Sequence, residues 1–276
     1  MMTQSQGVVE FQESGSGQTI VFVPGSFSTG SSWRGITTLM SARYRVITTS
    51  LSGYGKTQER RVAGSGAHMD DEMDVLEAVL KQAGVPVHLV AHSFGAWVAL
   101  NTAVHRKTEL LSLTLLEPTA FNLLDLAGES GLSNAVHAMT ARFISNWNSG
   151  DQQAVRHVIN FYGGEGAFES YPSAVQMKLI AQTPTNILDW QTGSSATTGL
   201  SDLAKLAVPT CVICGDLSHT AMKRSNELLA KHLPRAKLSY LRGANHFMIG
   251  SHAAELATAI DQHIGESSYA YGSKCE

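Results

Sequence analysis

The chain has 276 residues, is 43% hydrophobic and carries a formal net charge of −3. That is enough apolar material for one large α/β domain with a small insertion, and the interspersed charges supply neither the basic stripe of a nucleic-acid binder nor the polybasic patch of a membrane-surface protein. Cys211, Cys214 and Cys275 are odd in number, so no disulfide framework is expected.

The start Met1–Gly7 is mostly polar and unlike a signal segment, and no apolar run approaches membrane-spanning length, so a soluble, cytoplasmic protein is expected. Residues 8–13 alternate like a half-exposed strand, Gly15-Ser16-Gly17 turns the chain, and Thr19–Val23 is an apolar central strand; together they predict an entry hairpin. The loop Pro24-Gly25-Ser26-Phe27-Ser28-Thr29-Gly30 is rich in small residues whose amides can point at a ligand, and a helix over 32–42 follows, with Trp33 packing inward. Tyr44–Thr49 reads as a strand and 51–57 as a loop. Met69–Ala83 reads as a helix, with Met73, Leu76, Val79 and Leu80 at helical spacing and Gly84 as its stop. His68, Asp70, Asp71 and Asp74 form an acidic helix start, favoured by the macrodipole, rather than a metal set.

The stretch around which the chain is organised is Val87–Leu100. An apolar run ends in Ala91-His92-Ser93-Phe94-Gly95, and an apolar helical segment follows. A nucleophile on such a strand-to-helix corner sits in strained backbone and needs small neighbours two residues away, which Ala91 and Gly95 are. The next strand, 110–116, runs into Glu117-Pro118, which places a carboxylate on the same sheet edge as Ser93. From Phe121 to about Leu200 the strand signal gives way to helix-like pieces at 132–147, 151–162, 172–181 and 186–191, rich in apolar and aromatic residues able to roof a pocket. Residues 193–199 lead back to the main domain.

Cys211-Val212-Ile213-Cys214 matches a redox pair by spacing, but it lies within a core-strand pattern rather than at a helix start. A helix to about Leu233 and the strand Ala236–Leu241 follow, then the loop Arg242-Gly243-Ala244-Asn245-His246-Phe247-Met248. The final helix is predicted over 252–264, with a loose polar tail beyond it.

The Pro24-Gly25-Ser26 loop, the Ala91-His92-Ser93-Phe94-Gly95 corner and the Gly243-Ala244-Asn245-His246-Phe247 loop together resemble the α/β-hydrolase superfamily, nearly from Thr19 to Ile264. The resemblance implies an α/β-hydrolase fold: a mainly parallel central sheet with flanking helices, a core domain of residues 1–120 and 201–276, and a helical cap of 121–200. It implies Ser93 as nucleophile, His246 as general base and acid, and an acid between them in chain order. The family's usual acid follows the next-to-last strand as Gly-x-x-Asp, and Ser218 occupies that place here. Some members instead carry the acid at the end of the strand before the lid, so Glu117 is preferred and Asp216 is the alternative. Pro24 stands where the family usually has His; the oxyanion donors are backbone N–H groups, assigned to Ser26 and Phe94.

Gly25, Phe27, Phe121, Trp147 and Phe247 are candidate substrate-binding residues. His92 is expected to be packed and hydrogen-bonded rather than a second base, and His219 is a further residue near the site. The remaining histidines are expected to be structural or exposed. The expected reaction is hydrolysis of a small, mostly apolar ester, lactone or related acyl substrate, with no cofactor or metal. The alternatives are a cofactor-free dioxygenase using a His-acid dyad and a non-catalytic small-molecule binding or receptor protein.

Overall fold

The computed structural model describes residues 7–62 and 66–272, so Cys275 and most of the polar start lie outside the described residues. Its centre is a seven-stranded sheet in the order β1-β3-β2-β4-β5-β6-β7: β1 (Gln12–Ser14), β2 (Thr19–Val23), β3 (Arg45–Thr48), β4 (Val87–His92), β5 (Leu110–Leu116), β6 (Thr210–Gly215) and β7 (Ala236–Leu241). All neighbours are parallel except β1, which runs antiparallel to β3. β2, β4 and β6 are almost wholly buried, as expected of parallel strands covered on both faces.

Helices α1 (Arg34–Met40), reached through a 3₁₀ turn over Gly30–Trp33, α2 (Met69–Ala83) and α3 (Ser93–His105) connect the first strands. Between β5 and β6 lie only helices: α4 (Asn122–Leu126), α5 (Ser130–Asn148), α6 (Arg156–Gly163), α7 (Ala167–Ser170), α8 (Ser173–Ala181), α9 (Thr183–Ser194) and α10 (Leu200–Leu203). The chain ends with α11 (Thr220–His232), α12 (Met248–Ser251) and α13 (Ala253–Gly272). One face of the sheet packs on α1 and α13 through Ile36, Met40, Leu256 and Ile260. The other packs on α2, α3 and α11 through Leu76, Leu80, Val98 and Leu229, in a core continuous with the helical segment.

Two expectations are corrected. The entry hairpin does not form, because β3 inserts between β1 and β2 and takes both as partners. The tail is not loose as far as Gly272, since α13 continues to that residue. Its serines are compatible with helix because Ser267 and Ser268 donate their hydroxyls to the carbonyls of His263 and Ile264 one turn back. No described helix is long and apolar enough to cross a membrane.

Register decides what shares the carboxyl edge of the sheet. His92 lies opposite Leu116, and Leu116 opposite Ile213, so the residues after β4, β5 and β6 emerge side by side. The chain reverses its direction of winding between β2 and β4, and the crevice outside such a switch point is where open α/β sheets bind ligands. The Pro24 loop and Ser93 flank it.

Candidate active site

Ser93 is the first residue of α3, with φ at 55°. Phe27 (φ 61°) and Glu117 (φ 44°) are the other described non-glycine residues in the left-handed region. Each such residue costs about 1–3 kcal/mol of backbone strain and persists only where its surroundings over-determine it. Here the surroundings are tight. A Cβ on Gly95 would stand 2.1 Å from the Pro24 carbonyl oxygen, and one on Gly25 would stand 2.7 Å from the Ser93 Cβ, so the loop after β2 lies directly on the corner.

His246 comes from the loop after β7, and its Nε2 lies 2.9 Å from Ser93 Oγ. Its Nδ1 lies 2.7 Å from Glu117 Oε2. An ionised carboxylate only accepts, so the ring carries its proton on Nδ1 and Nε2 is free to accept from the serine hydroxyl. All three side chains are buried, Glu117 completely. Burial alone would push the Glu117 carboxyl up, but the His246 hydrogen bond and charge, the nearby Ser218 hydroxyl and the Gly215 amide outweigh it and hold the group below the usual carboxylate range. Its second oxygen accepts from the Gly215 N–H at 2.7 Å and from the Cys214 thiol at 3.2 Å.

Asp216, the alternative acid, does not meet His246. Its Oδ1 accepts the Gly243 N–H at 2.7 Å, which ties down the start of the loop that carries the histidine. His92 donates Nε2–H to the His246 carbonyl at 2.9 Å. Burial lowers its pKa to about 3, so it is a neutral tether between the corner and that loop. His219 packs against Phe161 with ring centroids 4.1 Å apart and the planes tilted by 32°, and it accepts the Ala221 N–H; it does not line the pocket.

Beside Ser93 and His246 opens a cavity of about 830 Å³ between the sheet edge and the helical segment. Ser26, Phe27, Phe94, Phe121 and Phe247 line it. Two candidate substrate contacts are corrected. Gly25 is packed against the corner rather than facing the cavity. Trp147 lies near the end of α5, two turns beyond the Val136–Ala141 portion that reaches the cavity, and is half-buried against the apolar core. Among the described residues no Lys or Arg lines the cavity; the carboxylates that do are Asp125 and Asp189. His137, read as structural or exposed, also lines it while staying largely exposed.

A profile of the alpha/beta hydrolase family matches residues 20–259 of the chain. The chain belongs to this family. Among curated proteins it is similar to the uncharacterized protein YqjL of Bacillus subtilis (strain 168), at 28% identity over 111 residues, covering 40% of this chain and 43% of YqjL. The aligned stretch thus spans less than half of that relative. Among solved structures it is similar to MenH from S. aureus, at 17% identity with a TM-score of 0.73, covering 94% of this chain and 98% of that one. It is likewise similar to the esterase EaEST from Exiguobacterium antarcticum, at 15% identity with a TM-score of 0.73, covering 94% and 98%.

Within this alpha/beta hydrolase, several residues at the site went unread in the sequence as parts of it. Tyr162 of α6 stacks on the His246 ring at 4.1 Å with the planes 17° apart, shielding the imidazole from above. It was legible as one apolar residue of an aromatic-rich segment and no more. Cys214 is recognisable as a buried strand residue, and nothing in its neighbours announces Glu117 97 residues away. His68 and the nearby acidic residues have ordinary partners: Asp71 accepts the His68 N–H, and Asp70 and Asp74 pair with Arg106. No group of three or more His, Cys, Asp or Glu side chains able to hold a metal ion occurs among the described residues.

Proposed function

We propose that the protein is a serine hydrolase of uncharged, mostly apolar esters, lactones or related acyl compounds, acting through Ser93, His246 and Glu117. The observation that carries this reading is the relay of contacts from Ser93 Oγ through His246 to Glu117, at 2.9 and 2.7 Å, opening on an apolar cavity. Ser93 Oγ attacks the acyl carbon while His246 Nε2 takes its proton. Glu117 holds the imidazole in the required tautomer and stabilises the imidazolium that forms. The oxyanion is met by the backbone N–H groups of Phe94, in the first turn of α3, and Ser26, with the positive end of the α3 dipole behind them. His246 returns the proton to the leaving group, and water releases the acyl group by the same steps in reverse. The helical segment acts as a cap over the site, and Tyr162 keeps water from one face of the imidazole.

The cavity walls support the choice of substrate. Aromatic and aliphatic side chains surround the site without a cation to balance a substrate carboxylate, which favours neutral acyl compounds over anionic ones. The test is a panel of neutral and carboxylate-bearing p-nitrophenyl esters with wild type and Ser93→Ala, together with fluorophosphonate labelling. Turnover of the neutral esters that disappears in Ser93→Ala, with label on Ser93, is expected. Absence of both turnover and label, with oxygen uptake on heteroaromatic enols, would instead indicate dioxygenase chemistry; tight ligand retention with no turnover would indicate a binding protein.

A further inference from the structure

Asp189 lies on α9, in the helical segment, yet its carboxylate is fastened to the core. It is 2% exposed. Oδ1 accepts from Arg61 Nη1 at 2.6 Å and Oδ2 from the Tyr54 hydroxyl at 2.7 Å. The Ser26 hydroxyl faces the same carboxylate, and the Phe27 amide faces the Tyr54 oxygen. Arg61 is itself fully buried and held by Glu59 at 2.8 Å, Glu72 at 3.2 Å and the Ser52 carbonyl at 3.0 Å. Of two consecutive residues of the loop after β2, Ser26 therefore faces a carboxylate supplied by the segment above, and the left-handed Phe27 is joined to that carboxylate through Tyr54.

We propose that Asp189 is a positioning residue that sets the Ser26 amide for the oxyanion, so that the acyl-transfer site is complete only when α9 is seated. The inference rests on the hydrolase reading and on Ser26 as an oxyanion donor. A loop with a strained φ at the residue after the donor needs an external restraint to hold an amide within a few tenths of an ångström of a developing charge. Here that restraint comes from a residue more than 160 positions further along the chain. With Asp189 removed, the Tyr54 hydroxyl and one Arg61 nitrogen lose a buried partner, and the loop loses what it rests on.

The experiment compares kcat/KM for a p-nitrophenyl ester and for the matching thionoester, whose sulfur accepts hydrogen bonds poorly, in wild type, Asp189→Asn, Ser26→Ala and Leu188→Ala. In wild type the oxygen ester is favoured. Asp189→Asn and Ser26→Ala, which keeps the backbone amide, are each expected to lower kcat on the oxygen ester by about ten- to a hundredfold, with KM within about threefold and the oxygen-to-sulfur preference reduced by at least about tenfold. Leu188→Ala, on the same helix but away from the cavity and from these contacts, is expected to lower Tm and leave the preference unchanged. Should Asp189→Asn not fold, Ser26→Ala carries the test, since it leaves Asp189, Arg61 and Tyr54 in place. A folded Ser26→Ala or Asp189→Asn with the wild-type preference would overturn the positioning role alone. A wild type without ester turnover or Ser93 label would overturn the hydrolase reading and this inference with it.

Discussion

The thiol of Cys214 lies 3.2 Å from Oε1 of Glu117, on the side of the carboxylate away from the imidazole. The Gly215 N–H reaches the same oxygen, so one oxygen is held by the strand β6 while the other is left to His246. Burial and the nearby carboxylate push the Cys214 thiol well up from its ordinary value. A weak donor that stays protonated is an inert support.

Cys214→Ala is accordingly expected to lower kcat by about fivefold, the worth of one weak thiol-to-carboxylate hydrogen bond, with little change in KM. In the native protein iodoacetamide is expected to leave Cys214 unmodified. Alkylation of the folded protein at the rate of a free thiol would contradict this picture.

Glu117→Gln and Asp216→Asn separate the two candidate acids. Glu117→Gln presents an amide where the imidazole proton must be accepted and is expected to cut kcat by about 10⁴-fold. Asp216→Asn can still accept the Gly243 N–H through its side-chain oxygen and is expected to stay within about threefold of wild type. Steady-state ester hydrolysis decides it, and the opposite ranking would move the acid to Asp216.

Two glycines give opposite outcomes for the same added methyl group. Gly95→Ala drives a Cβ to 2.1 Å from the Pro24 carbonyl oxygen, a backbone atom that cannot swing aside, so it is expected to destabilise by more than about 2 kcal/mol and abolish turnover. Gly131→Ala, within α5 and with nothing within 4 Å of the added atom, is expected to stabilise by about 0.5–1 kcal/mol. Denaturant unfolding of both variants tests the pair.

The contribution of Glu72 to stability is expected to fall between pH 5 and 8. Burial pushes its carboxyl up to about 7, against the lowering effect of Arg61 and with a further upward push from Asp189. A folded-state value above the unfolded one means the folded protein holds the proton more tightly. That contribution is complete below the model-peptide value of about 4.5 and is lost as pH rises through about 7. His88 and His92, lowered mainly by burial to about 4 and about 3, work the other way, losing their contribution as pH falls below 6.5. Glu72→Gln removes only the first effect, so its Tm measured relative to wild type is expected to rise from pH 5 to 8. Parallel curves would refute the assignment.

Local signals made much of this legible. The corner at Ser93 is announced by the apolar run before it and the small residues around it, and Glu117 by a carboxylate where a buried strand meets proline. The helical segment shows itself by the loss of strand pattern. What stayed hidden depends on pairing across long separations. β1 alternates well but says nothing of whether it will lie beside β2 or β3. Arg61 and Asp189 are 128 residues apart and each reads as an ordinary surface charge until the fold buries both. Trp147 and Gly25 failed for a related reason, since helix periodicity and smallness do not say which turn or which side reaches the cavity.

The left-handed residues Phe27, Ser93 and Glu117 bear on how the protein would evolve under heat. Glycine adopts such dihedrals at no steric penalty, so robustness and reactivity pull these three positions in opposite directions. A population screened only for survival at high temperature would accumulate glycine or asparagine there, and its hardiest members would be poor catalysts.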